Sequence, residues 1–408
     1  MADNKDKKVL NVPALRFPEF SGEWENLRLS DFATKITKKN KGNIVKNILC
    51  NSANLGLVPQ GNYFDREIAN TENTDGYYVI CNGDFVYNPR KSTAAPFGPV
   101  NIYEGEDAGI ISPLYLCFSI HNIFPKFLYY RFKSSAWHSY VYSHGDSGVR
   151  FDRVSIKDDV FFDMPVYKPA QDEQIKIATI LQLIDERIAT QNKIIEKYES
   201  LIQAMCDTLI EREMQQVALS FSDFGQSYSG LSGKNAEDFG DGYPFITYMN
   251  VYQNQIIDST DVGLVKIKET EQQSVVHYGD ILFTLSSETP EEVGMGAVYL
   301  GETYPLYLNS FCFGIHITDE AKIYSPFLAY YVSSQSFRKA VCPLAQGSTR
   351  FNLQKSDFMK KKFSFPMIEK QRKIYSILNT YSDKLIVEKQ IIGLLCNQKR
   401  YLLRQLFI

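Results

Sequence analysis

The chain contains no Cys-x-x-Cys pair and no His-Glu-x-x-His. Its seven cysteines stand at 50, 81, 117, 206, 312, 342 and 396. An odd, scattered set argues against a secreted disulfide framework and for reduced thiols in a cytoplasmic protein. The five histidines (121, 138, 144, 277, 316) lack metal-ligand spacing, so no metal site is expected. Long apolar runs are also missing. The longest, Ala108–Phe124, is broken by Pro113 and His121, which excludes a bilayer span. Lysines near the start are followed by no apolar stretch before Pro13, so no secretory signal is expected. Charge of one sign is lacking too: 44 Lys and Arg against 47 Asp and Glu leave a net −3. That excludes a whole-chain basic field but not a local basic stripe.

What is present is ordinary globular composition, with 44% hydrophobic and 22% charged residues over 408 positions, enough for two or three domains. The chain is also written twice. Ser30-Asp31-Phe32 recurs as Ser222-Asp223-Phe224, Gly83-Asp84-Phe85 as Gly279-Asp280-Ile281, and Phe127-Leu128-Tyr129-Tyr130 as Phe327-Leu328-Ala329-Tyr330. Arg150-Phe151-Asp152 recurs as Arg350-Phe351-Asn352, and Gln174 with Ile177, Ile180 and Leu181 as Gln371 with Ile374, Ile377 and Leu378. The offsets are 192, 196, 200, 200 and 197. Five matches in one order at nearly constant offset point to a tandem duplication giving two similar domains. Short runs such as Phe85-Val86-Tyr87 and Ile281-Leu282-Phe283 predict strands. Phe124 to Tyr142 and Tyr324 to Val341 predict helices.

Each copy ends in a different kind of sequence. From Gln171 to Glu213 there is no Gly or Pro. Leu181, Ile184, Ile188, Gln191, Ile195, Tyr198, Ile202, Met205 and Leu209 step by three and four, a heptad seam with one polar position. The second copy gives Leu378, Tyr381, Leu385, Glu388, Ile392, Leu395, Lys399, Leu402 and Leu406 at the same offset. Helices of some 40 residues would be about 60 Å long, which favours pairing with each other over packing on one small domain. Asp172–Glu213 carries five basic and nine acidic residues, net −4; Glu369–Ile408 carries eight and three, net +5. Opposite charge favours the pair, and chain continuity makes it antiparallel. The expected fold is α+β, with two similar globular domains at opposite ends of a long antiparallel two-helix coiled coil, related by a pseudo-two-fold. The expected boundaries are an N-terminal segment 1–27, a domain 28–170, a helix 171–215, a domain 216–367 and a helix 368–408.

No credible active site assembles. There is no G-x-x-x-x-G-K-[ST], and Gly294-Met295-Gly296 lacks the third glycine of a dinucleotide loop. Asn88-Pro89-Arg90-Lys91 lacks the second proline and the aromatic of an adenine methyltransferase loop. Basic and polar residues do cluster in the globular parts. The first copy offers Lys35, Lys38, Lys39 and Lys41, then Arg90 and Lys91, then Arg150 and Arg153. The second offers Lys234, Asn235, Arg338, Lys339, Arg350, Asn352, Gln354 and Lys355. Lys and Arg neutralise phosphates, and Arg, Asn and Gln read base edges, so these are the candidate DNA-binding residues. Surface solubility and structural ion pairs are the competing readings for each.

The organisation resembles the specificity subunit of type I restriction-modification systems over the whole chain. Val12-Pro13-Ala14-Leu15-Arg16-Phe17-Pro18-Glu19-Phe20 and Gly22-Glu23-Trp24 look like the usual start of such subunits. Pro169 with Glu173-Gln174 is similar to the family's lead-in to its first long helix, and Pro366 with Glu369 and Gln371 is a looser version. The resemblance implies two target-recognition domains reading a bipartite, asymmetric double-stranded DNA site. It implies no catalysis and no cofactor on this chain. S-adenosylmethionine would sit on two modification subunits that methylate adenine N6, and ATP and Mg on two restriction subunits where these are present. The rivals are a self-contained nuclease or methyltransferase and a coiled-coil scaffold whose globular ends bind proteins.

Overall fold

The structure is a computed structural model that describes residues 10–62, 74–145 and 152–408. It divides into two units, Met1–Gln191 with Ile391–Ile408, and Asn192–Gln390.

In the first unit, an antiparallel four-stranded sheet runs in the order Ala33–Lys35, Leu116–Ile120, Phe85–Tyr87, Val100–Ile102. The apolar run Phe85-Val86-Tyr87 shows no polar alternation because both faces of its strand are covered. Phe85 and Tyr87 join the main core with Phe118, Phe127, Trp137 and Phe161, while Val86 joins a second cluster with Ile80, Ile111 and Cys117. Strand Glu25–Arg28 pairs with Pro165–Lys168, and Trp24 is buried in the main core, so the globular part starts ahead of the expected boundary at residue 28.

The second unit repeats this order with Gly225–Ser229, Cys312–Ile317, Ile281–Thr284, Gly296–Val298, and closes likewise with Gln216–Ser220 on Lys362–Pro366. Ile281 and Phe283 face one cluster and Leu282 the other. The repeated sequence signatures have local causes. Asp31 and Asp223 accept hydrogen bonds from the backbone N–H of Arg28 and Ser220, each at 2.7 Å, capping matched 3-10 turns. Gly83 and Gly279 hold φ of +90° and +88°, which lets Asp84 and Asp280 accept from the N–H three residues earlier.

The expected single helix after each sheet is two helices, Pro125–Lys133 with His138–His144 and Ser325–Tyr331 with Gln335–Val341. The serine between them ends the first helix in both copies: Ser134 Oγ donates to Arg131 O (2.7 Å) and Ser334 Oγ to Tyr331 O (2.6 Å).

The two long helices are Gln171–Glu211 and Ile368–Gln405. None of the seam positions is exposed. Many of them join the globular cores. Leu181 and Ile184 share the first unit's main core with Leu402, Leu406 and Phe407, and the Phe407 ring lies 5.4 Å from that of Phe127. Ile202 shares the second unit's core with Ile374 and Leu378. The acidic and basic helices meet as their charges predict: Lys399 pairs with Asp185 in the first unit, and Lys389 with Glu199 (2.7 Å) and Lys370 with Glu213 (3.1 Å) in the second.

Each long helix is tied to its globular part by the glutamine of the lead-in motif. Gln174 accepts from Phe124 N–H (2.8 Å) and donates to Pro169 O (2.8 Å). Gln371 accepts from Tyr324 N–H (2.9 Å) and donates to Pro366 O (2.8 Å) and Lys322 O (3.1 Å). The amide satisfies the free N–H at the start of the short helix Pro125–Lys133 or Ser325–Tyr331 and a carbonyl of the chain feeding the long one. The adjoining Glu173, also buried, holds Arg16 at 2.7 Å.

Candidate nucleic-acid interface

The first unit brings two of the basic clusters together. Residues 89–91 lie antiparallel to 152–154: Lys91 N–H donates to Asp152 O and Val154 N–H to Pro89 O, both at 2.8 Å, and Arg90 stands opposite Arg153. Opposed residues of an antiparallel pair send their side chains to the same face, and like charges placed so repel. Arg153 Nε is buried without a hydrogen-bond partner among the described residues. Two arginines opposed across the strands, one with a donor that no described residue takes up, make a place where an anion would relieve both costs. Arg153 also lines a cavity of about 530 Å³ with Lys35, Tyr78, Tyr87 and Tyr115. At its rim Lys35 pairs with Asp158 at 2.5 Å, which holds its ammonium above the ordinary lysine range. Lys38, Lys39, Lys41 and Lys91 are exposed. Arg150 lies outside the described residues.

The second unit builds the same backbone frame with different side chains. Ser286 stands opposite Asn352, Ser287 opposite Phe351, and Leu353 N–H donates to Leu285 O at 2.8 Å. By this pairing Arg153, not Asp152, occupies the place of Asn352. The Arg-Phe match read from the sequence is therefore one residue out of register with the fold. Gly347 makes the tight turn before Arg350: its φ is +135°, and a Cβ there would lie 2.1 Å from Arg350 O. Arg350 is exposed and lines a cavity of about 360 Å³ with Tyr248, Tyr252, Phe311 and Glu292. The Tyr248 and Tyr252 rings stack at 5.9 Å. Asn352 and Gln354 are exposed beside it, and Lys355 donates to Ser229 Oγ at 3.1 Å.

Two candidates are engaged inside the protein. Lys234 pairs with Glu271 and donates to Lys266 O at 2.6 Å, with its side chain 4% exposed. Arg338 donates to the carbonyls of Gly294 (2.8 Å), Glu291 (2.6 Å) and Val293 (2.7 Å), and burial holds its guanidinium below the ordinary arginine range. Both act as loop clamps. Asn235 caps a short turn, its N–H donating to Asp238 at 2.8 Å, while Lys339 is exposed. Sequence spacing also gave no sign of His277, Asp280 and His316, which the fold brings within reach of one another.

Residues 223–395 match the family model of the type I restriction modification DNA specificity domain. Among solved structures, the chain is similar to one described under the structural basis of complex assembly and conformational transition of the type I R-M system. That chain is 13% identical with a TM-score of 0.58, over 93% of this chain and 96% of that one. It is also similar to the crystal structure of a type I restriction-modification system S subunit from M. genitalium, 15% identical with a TM-score of 0.54, over 97% and 99%. No curated protein matches. Residues 223–395 thus resemble a DNA specificity domain of the type I restriction-modification kind, and the chain as a whole shares the fold of the type I S subunit from M. genitalium.

Proposed function

We propose that this chain is the non-catalytic specificity subunit of a cytoplasmic type I restriction-modification complex and reads a bipartite, asymmetric DNA target. Each copy's globular part is the reader of one half-site, and the paired long helices form a coiled-coil spacer that sets the distance between the halves, as a dimer interface sets half-site spacing elsewhere. Two modification subunits and two restriction subunits are the partners. The observation that carries this reading is the repeated loop frame with unlike side chains: Arg90 and Arg153 in one copy, Ser286 and Asn352 in the other. A duplicated frame with divergent polar faces suits two unlike half-sites. The modification subunits must extrude their target bases, so they too bind DNA, and a net-acidic specificity subunit need supply only part of the phosphate contacts.

The test is DNA binding by the complex of this chain with its modification subunits over a salt series. Arg153→Gln should weaken binding and flatten the salt dependence by about 0.9 in log–log slope for each phosphate no longer neutralised. Lys234→Gln should leave that slope unchanged. An Arg153→Gln complex with wild-type affinity and slope would count against the interface.

A further inference from the structure

We propose that His277, Asp280 and His316 bind one divalent transition-metal ion of the zinc class in the second unit. One ligand atom from each lies within 4.8 Å of the other two. Asp280 is almost wholly buried. Its Oδ2 accepts from His277 N–H (2.9 Å) and from the Tyr228 hydroxyl (2.8 Å), which fixes the carboxylate and turns Oδ1 toward His316 Nδ1 at 2.8 Å. Tyr228 stacks on the His316 ring at 4.2 Å and holds it in place, and the exposed His277 ring stands edge-on to it at 4.9 Å. Zinc takes nitrogen and oxygen donors at about 2.0–2.2 Å, four around the ion. Two imidazoles and a carboxylate are its ordinary donor set. Here two members are already fixed, and the third, exposed His277, packs its ring against His316 and Tyr304. Binding takes the place of the proton between His316 Nδ1 and Asp280 Oδ1; the imidazole passes to its neutral Nε2–H tautomer, the Asp280 carboxylate keeps its charge, and water takes the fourth position on the exposed side.

The duplicated copy shows that the fold does not need the imidazoles. Its turn keeps the aspartate, Asp84, which accepts from Cys81 N–H at 2.7 Å. Strand pairing puts Ser119, opposite Thr34, where His316 stands opposite Gln226. Cys81 and Ser119 thus replace the two histidines while the turn and sheet persist. The aspartate is the structural requirement, and the histidine pair is an addition peculiar to the second unit. An ion there would pin the 277–280 turn to strand Cys312–Ile317.

The test is titration of the full chain with cobalt(II) and zinc(II). One ion per chain is expected, with the visible bands of four-coordinate cobalt and no thiolate charge-transfer band, which separates this site from the free cysteines. His277→Gln should weaken binding at least about tenfold, His316→Gln likewise, and His121→Gln should not. Zinc should raise the melting temperature of the wild type and not of His277→Gln, whose position is exposed and tolerates the change. No binding, a thiolate spectrum, or undiminished binding in His277→Gln would overturn the site.

Discussion

Replacing Gln371 by Leu removes the tie between the second long helix and its globular part while keeping an apolar side chain of similar length. Gln371 is fully buried and makes three hydrogen bonds, to Tyr324 N–H, Pro366 O and Lys322 O. The substitution strands one backbone donor and two acceptors in the interior. Each buried group left unpaired costs about 1–3 kcal/mol, partly offset by relaxation and by the greater apolarity of Leu, so a net loss of about 2–4 kcal/mol is expected. In a unit of this size that lowers the melting temperature by about 5–15 °C. Gln371→Glu should be at least as severe at neutral pH. It keeps the acceptor for Tyr324 N–H but turns the donor toward Pro366 and Lys322 into a buried charge facing two carbonyl oxygens. The assay is differential scanning calorimetry with the equivalent Gln174→Leu as companion: the Gln371 variants should move the second unit's transition and the Gln174 variant the first. A destabilisation below about 0.5 kcal/mol in Gln371→Leu would refute the clamp.

Three further outcomes follow from particular interactions. Lys399→Glu should destabilise the first unit by setting a carboxylate against Asp185, and Asp185→Lys in the same chain should restore a coupling of about 0.5–1 kcal/mol, measured by a double-mutant cycle. Lys133 is held down to about 8 against an ordinary 10.5, chiefly by burial and then by the charge of Lys399. Between those values the unfolded chain keeps a proton that the folded chain has released, so this group makes stability rise with pH across that window. Lys133→Met should remove that component from urea titrations run at several pH values. Gly347→Ala should cost more than the usual surface change, because it puts a Cβ on Arg350 O at a positive φ, and should weaken DNA binding in the assembled complex by moving the Arg350 loop.

The duplication, the long helices and their charge asymmetry could be read from the sequence because each rests on local spacing. Gly83-Asp84 and Gly279-Asp280 are legible as turns for the same reason: the donor to each aspartate is three residues away. The candidate interface was less legible, because whether a cation is free depends on partners far along the chain. Lys234 meets Glu271 across 37 residues and Arg338 reaches Gly294 O across 44, so neither engagement has a local signature. The pairing of Arg90 with Arg153 is likewise long-range, and the repeated Arg-Phe doublet obscured it by aligning the copies one residue away from the register the strands adopt. Asp280 and His316 are 36 residues apart and meet only because adjacent strands and a turn place them side by side.

Whether each copy reads its own half of one DNA target is decided most directly by a domain exchange. Residues 28–165 are replaced by the matching domain of a related subunit, the chimera is assembled with its modification subunits, and N6-methyladenine is mapped across a genome. One half of the methylated site is expected to change while the other half and the spacing stay as they were. A change in both halves, or in neither, would contradict the two-reader arrangement.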